Sequence, residues 1–166
     1  MLAELYRNSL YAPDPTHVVA RYWVVPQILV GGSILDSEDW VHLRDVFGIT
    51  GVICVESEHS DSGKGIEKLC ELPTLDDGQP KPKELFVDAI VFAREVLGAG
   101  GRLYVHCQMG GSRSPAFAYA ILRAVLGMSQ GAARTWIAMA KPGYGEHPVH
   151  QTYLASADSA VESYHS

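Results

Sequence analysis

Short apolar runs alternate along this chain with amphipathic stretches, and the two periods separate strands from helices. Tyr22–Val25 and Gln27–Gly31 are β-rich runs interrupted by Pro26, and Gly31–Gly32 closes the second. A helix follows, capped by Asp36 or Ser37, with Glu38 and Asp39 in its first turn. Its Trp40, Leu43 and Phe47 fall on one core-facing stripe, and Gly48 ends it. Thr50–Val55 is a strongly β-prone run, buried on both faces in a parallel sheet. Leu69–Leu72 is a fourth strand, leaving Pro73–Pro80 as a loop rich in turn residues. Lys83–Leu97 reads as a helix with Leu85, Ala89, Phe92 and Val96 on its leading stripe, and Phe86, Ile90 and Leu97 beside them. Gly98 and Gly100–Gly101 stop it. Arg102–His106 is a buried strand, Cys107–Ser112 a loop, and a helix opens near Arg113, with Pro115 in its first turn. Ser129 caps a further helix to about Ala140, with Ala133, Trp136, Ile137 and Ala140 inward. The pattern is that of an α/β domain with a twisted, mostly parallel central sheet flanked by helices.

The stretch around Cys107 concentrates the chemistry. A strand–loop–helix unit aims backbone N–H groups and the positive end of the helix dipole at one point. Such a point binds anions, and here it surrounds a cysteine. A thiol at a helix N-terminus beside a cation ionises more readily than a free one, so Cys107 is expected to act as a thiolate nucleophile. Gly110 and Gly111 let the backbone turn tightly and approach an oxyanion. Arg113 offers a planar fork matching two phosphate oxygens, and Ser114 can donate to the sulfur when it leaves. A buried structural thiol would account for the cysteine alone. It would not account for two glycines, an arginine and a helix start at fixed offsets.

Composition narrows the class. A chain of 166 residues suits one domain with a full core. A net charge of −6 disfavours nucleic acid or an anionic membrane as the main partner. No run approaches the roughly 20 apolar residues of a membrane span, and the N-terminus lacks a secretory signal, so no membrane insertion is expected. Three cysteines, Cys54, Cys70 and Cys107, suggest no disulfide framework and fit a reducing cytoplasm. His59–Lys64 reads as a solvated polar loop, without the flanking strand and helix that a nucleotide-binding loop requires. His147 and His150 have no supporting ligand cluster and read as surface residues, so no metal is expected.

The loop His106-Cys107-Gln108-Met109-Gly110-Gly111-Ser112-Arg113-Ser114 resembles the active-site loop of cysteine-dependent protein tyrosine phosphatases. From about Tyr22 to Tyr153 the chain is most similar to the compact dual-specificity type. The resemblance implies a catalytic domain over 21–160 and, in 1–20, an N-terminal extension or substrate-side segment. It assigns phosphate binding to the whole loop, with Cys107, Arg113 and Ser114 catalytic. Asp76-Asp77-Gly78-Gln79-Pro80 resembles the general-acid loop of these enzymes, in the pattern D-x-G-x-P. That alignment makes Asp76 the acid and Asp77 the runner-up. Lys141-Pro142 stands where an Arg-Pro is common, and Gln151 aligns with a residue that positions water. Cys54, in the run Ile53-Cys54-Val55-Glu56, matches a partner that some superfamily members use to form a reversible disulfide with the nucleophile.

The implied activity is phosphomonoester hydrolysis through a phosphocysteine, on phosphotyrosine and also phosphoserine or phosphothreonine, with no cofactor. Alternatives are a phosphoinositide or RNA 5′-phosphate substrate, a catalytically weak phosphate-binding module, and sulfur- or arsenate-handling enzymes with similar loops. The uncharged Gln108, Met109, Gly111 and Ser112 disfavour polyanionic substrates, and the D-x-G-x-P stretch disfavours sulfur and arsenate chemistry.

Overall fold

A computed structural model describes residues 20–166. All of the expected N-terminal segment except Ala20 therefore lies outside the described residues. The strands are β1 (Arg21–Val25), β2 (Ile28–Gly31), β3 (Gly51–Glu56), β4 (Leu69–Thr74) and β5 (Leu103–His106). The helices are α1 (Ser37–Phe47), α2 (Lys83–Gly98), α3 (Arg113–Ala124), α4 (Gln130–Ala140) and α5 (Gln151–His165). One sheet runs in the order β1-β2-β5-β3-β4, with β1 antiparallel to β2 and every other pairing parallel. Pro26 sits in the β1–β2 turn, where it disrupts no ladder bond.

Alternation along each strand divides the core between the two faces of the sheet. Trp23, Leu29, Val52 and Tyr104 pack with Trp40 and Leu43 of α1. Val24, Val30, Ile53, Val55, Leu103 and Val105 pack against the other helices. The central one is α3, whose residues are all buried apart from Arg123. Phe117 of α3 stacks on Phe86 of α2 with ring centroids 4.3 Å apart. Truncating such a residue to alanine typically costs about 3–5 kcal/mol.

The caps of α1 and α4 are as expected: Asp36 accepts from the Asp39 N–H, Gly48 is left-handed, and Ser129 accepts from the Ala132 N–H. Three elements differ. Strand β4 continues past Leu72 to Thr74, because Pro73 falls where the β3–β4 register shifts, on an edge strand that tolerates a missing donor. Helix α2 buries Phe86, Ala89, Ile90, Ala93 and Val96, while Leu85, Phe92 and Leu97 are only half-buried. Two adjacent apolar stripes compete there, and packing against Phe117 decides between them. Helix α5 runs to His165 on an inward face of Leu154, Ala157, Ala160 and Val161, too rich in alanine to announce itself. Among the described residues no helix is long and apolar enough to cross a membrane.

Candidate active site

The loop leaves the C-terminal end of β5 and closes at the N-terminus of α3, with Cys107 buried between them. Gly110 N–H donates to Cys107 Sγ at 3.2 Å, and Ser114 Oγ lies 3.2 Å from the same sulfur. Gly110 has φ of 73°, and a Cβ there would come within 2.7 Å of the Gly31 carbonyl carbon. Only glycine fits both the conformation and the space. The β1–β2 hairpin braces the loop from outside. Ser33 N–H donates to the Gln108 carbonyl at 3.1 Å, and the Tyr22 hydroxyl donates to the Gly110 carbonyl at 2.9 Å. In a trans peptide the N–H points opposite to the carbonyl. The Met109 and Gly111 N–H groups therefore face away from the hairpin, and both residues line the cleft.

That cleft has a volume of about 570 Å³ and brings Cys107, Gln108, Met109, Gly111, Ser112 and Arg113 together with Asp76. Its far wall comes from Lys141 and from residues 146–151 ahead of and at the start of α5. His147 and His150 are exposed in this wall, as expected of surface residues. Ser112 Oγ accepts from the His150 N–H at 3.1 Å, which joins the wall to the loop.

Arg113 is held on two sides. Nη1 donates to Glu58 Oε1 at 2.6 Å and to the Thr74 carbonyl at 2.8 Å, and Nη2 donates to Glu58 Oε2 at 2.8 Å. Among the described residues its buried Nε has no hydrogen-bond partner. Burial alone would lower the Arg113 pKa, but the bonds to Glu58 and the fields of Cys107 and Asp76 raise it above its ordinary value. The same pairing lowers Glu58 to about 2.

His106 is fully buried, stacked on Tyr104 with centroids 5.3 Å apart, and its Nε2 lies 2.5 Å from Asp61 Oδ2. Its Nδ1 faces the Cys107 carbonyl at 3.3 Å. Asp61 belongs to the segment expected to be a solvated loop, and that expectation is corrected: Asp61 is 1 % exposed. Lys64 of the same segment donates to Asp61 Oδ1 at 2.9 Å and to the Ile34 carbonyl at 2.6 Å. Burial pushes the Asp61 pKa up, but His106 and Lys64 outweigh it and hold the group below its ordinary value. A segment of polar residues is thus folded inward to support the residue before Cys107.

Cys54 of β3 is in register with His106 of β5, one residue before Cys107, and all three cysteines are free. Burial, reinforced by Asp61, raises the Cys54 thiol pKa. Cys54, Glu56, Asp61 and His106 place potential ligand atoms within 4.8 Å of one another, all buried. These side chains are already engaged: both Glu56 oxygens accept from the Ser33 hydroxyl, and Asp61 meets His106 and Lys64.

The two loop aspartates differ in surroundings. Asp76 faces the cleft, and its Oδ1 accepts from the Tyr153 hydroxyl at 2.9 Å. Asp77 instead pairs with Lys81 Nζ at 2.5 Å and caps the Gln79 N–H at 3.0 Å. The bond to Lys81 lowers its pKa, which opposes a role as proton donor. Lys141 is buried at the cleft edge, its ammonium donating to the His147 carbonyl. Burial lowers its pKa, against the opposing field of Cys107. Gln151 also lines the cleft, and its Oε1 accepts from Arg134 at 3.0 Å.

Sequence reasoning missed Glu58, Asp61, Tyr22 and Tyr153. For Glu58 a faint signal existed, since it follows β3 at the strand end where such sheets place ligands. Tyr22 and Tyr153 carried none beyond their apolar pattern.

Comparison with known proteins agrees with this geometry. No protein-family model matches the chain. It is 35% identical over 99 residues to human dual specificity protein phosphatase 1, an alignment covering 60% of this chain and 26% of that protein. It is 34% identical over 103 residues to human dual specificity protein phosphatase 12, covering 60% and 30%. The chain thus spans less than a third of the length of these curated relatives. Among solved structures, the human tyrosine phosphatase-like serine/threonine/tyrosine-interacting protein superposes with a TM-score of 0.74 at 19% identity, covering 88% of this chain and 98% of that one. Human DUSP28 gives 0.74 at 18% identity, covering 88% and 95%, and PTPMT1 gives 0.73 at 20%, covering 88% and 96%. The fold is that of the compact dual-specificity phosphatases, and the sequence resembles theirs.

Proposed function

We propose that this chain is a phosphomonoester hydrolase, a protein phosphatase acting on phosphotyrosine and on phosphoserine or phosphothreonine through a phosphocysteine. The observation that carries the reading is the arrangement at the head of α3. Cys107 Sγ sits under the Gly110 N–H and beside Ser114, while Arg113 is held through Nη1 and Nη2 with Nε left for an incoming oxygen. The Met109 and Gly111 N–H groups and Arg113 hold the equatorial oxygens as charge develops on them. Cys107 thiolate attacks phosphorus, the ester P–O bond breaks, and Asp76 gives its proton to the departing oxygen. Water, positioned by Gln151, then attacks the phosphocysteine. Asp76 takes a proton from that water, the S–P bond breaks with its electron pair returning to sulfur, and inorganic phosphate leaves. Ser114 donates to the returning thiolate. The free thiols suit a reducing cytoplasmic location.

A second reading, a phosphoinositide substrate, is favoured by Lys141, a second buried cation at the cleft edge, with His147 and His150 on the same wall. One neighbouring structure is of PTPMT1 in complex with PI(5)P.

Hydrolysis of para-nitrophenyl phosphate in the presence of EDTA, by wild type and Cys107→Ser, tests the reading. We expect turnover that the substitution abolishes. Asp76→Asn should slow an aryl phosphate with a poor leaving group by ~10²–10⁴-fold, and Asp77→Asn should not. Absence of turnover in reduced, folded protein overturns the hydrolase and favours a phosphate-binding module. A preference for phosphoinositide over phosphopeptide favours the second reading.

A further inference from the structure

Helix α5 does more than close the core. The acid-bearing loop is tied to its first two turns by bonds that bridge 74 to 77 residues of sequence. The Tyr153 hydroxyl accepts the Gly78 N–H at 2.8 Å and donates to Asp76 Oδ1 at 2.9 Å. Thr152 Oγ1 donates to the Gly78 carbonyl at 2.8 Å, and Ser156 Oγ accepts the Lys81 N–H at 2.9 Å. Gly78 turns the loop back with φ of 72°. Tyr153 itself is 1 % exposed, so its hydroxyl is held at the end of a fixed ring.

We propose that Tyr153 is the positioning residue of the proton transfer, and that its hydroxyl selects which oxygen of Asp76 carries the proton. The inference rests on the hydrolase reading above. A backbone N–H can only donate, so Gly78 fills an acceptor site of the phenol and leaves its one proton for Asp76. Burial raises the Tyr153 pKa and Asp76 raises it further, against the Gly78 N–H, so that proton is retained at neutral pH. Oδ1 of Asp76 is then an acceptor in both charge states. The transferable proton resides on Oδ2, and in the second step Oδ2 takes the proton from water. Without the hydroxyl, either oxygen can carry the proton and the loop loses two of its bonds to α5.

The test compares two aryl phosphates in wild type and Tyr153→Phe. Phenyl phosphate needs its leaving oxygen protonated, whereas 2,4-dinitrophenyl phosphate does not. We expect kcat/KM for phenyl phosphate to fall roughly tenfold or more, the scale of a lost hydrogen bond to a charged group. For the dinitrophenyl ester it should change by less than about twofold. On an Asp76→Asn background, Tyr153→Phe should cause no further loss, because it acts through Asp76. Thr152→Ala, at an exposed position, should shift the ratio in the same direction by less, and it guards against a folding defect in the buried variant. Equal losses on both esters, or losses that multiply in the double variant, overturn the proposal. Amide hydrogen exchange reads the latch without turnover. The Gly78 N–H should exchange about tenfold faster in Tyr153→Phe. An unchanged rate overturns the latch, whereas a wild type inactive on both esters overturns the hydrolase reading instead.

Discussion

Glu58 and Arg113, 55 residues apart in the chain, form a two-point ion pair, with Oε1 2.6 Å from Nη1 and Oε2 2.8 Å from Nη2. A forked pair of this kind fixes the plane of the guanidinium as well as its charge. The Thr74 carbonyl holds the same Nη1 from the end of β4. Arg113 is thereby held in one orientation by the protein itself, which would lower the cost of ordering it on binding an anion.

Glu58→Gln should therefore weaken phosphate binding by about three- to tenfold, a partly exposed pair being screened by solvent. Competitive inhibition by inorganic phosphate measures it, and an unchanged inhibition constant would show that Arg113 needs no partner. The pH dependence has a definite sign. Because the folded pKa lies near 2, the pair's contribution to stability is complete above the ordinary carboxylate value of about 4.3 and is lost as pH falls through about 2. The stability difference between wild type and Glu58→Gln should be flat from pH 5 to 8 and shrink below pH 4.

Asp61 supports the loop from beneath through His106. Asp61→Ala leaves His106 and Lys64 without their buried partner, and removing one member of such a set typically costs about 3–5 kcal/mol. Urea denaturation at pH 7 checks this, and a loss below about 0.5 kcal/mol would mean the segment is dispensable. Since the folded pKa is depressed, the contribution is present above the unfolded value of about 3.9 and lost as pH falls below it.

Gly110→Ala asks a β-carbon to occupy space 2.7 Å from the Gly31 backbone at φ of 73°. Conformation alone costs about 1–2 kcal/mol, and the contact is with backbone that cannot rotate away. We expect para-nitrophenyl phosphate turnover to drop by at least about 100-fold with a lowered melting temperature. Gly111→Ala, where no described residue beyond its chain neighbours lies within 4 Å of the added carbon, should cost far less. Equal effects of the two would refute the close-approach argument.

Peroxide should convert Cys107 to its sulfenic acid. The Cys54 thiol then attacks that sulfur and expels water, giving a disulfide. Cys54 lies on β3 opposite His106, the residue before Cys107, and because its pKa is raised its thiolate fraction, and with it the second step, grows as pH rises. Mass spectrometry of oxidised protein should show a peptide joining the two residues, reversed by dithiothreitol, and Cys54→Ser should overoxidise at Cys107. Absence of the joined peptide would remove Cys54 from the mechanism.

What the sequence determined by itself is what lies within one turn or one period. Gly31–Gly32, the caps Asp36 and Ser129, and the strand alternation are local, and they prescribed a mostly parallel α/β sheet. The Cys107 loop was legible for the same reason. Cys107, Gly110, Arg113 and Ser114 lie within one short stretch, and the geometry of a strand–loop–helix turn alone brings them together. Tertiary structure decided everything that bridges elements. Neither the inward turn of Asp61, nor the grip of Glu58 on Arg113, nor the Tyr153 bond that sets Asp76 apart from Asp77 has a local pattern. Those partners lie 45, 55 and 77 residues apart. They meet because parallel strands place their C-terminal ends on one edge, with β3 between β5 and β4, and because α5 packs on α2 and α3. Such pairings depend on sheet order and helix docking, which become fixed only when the whole core is buried at once.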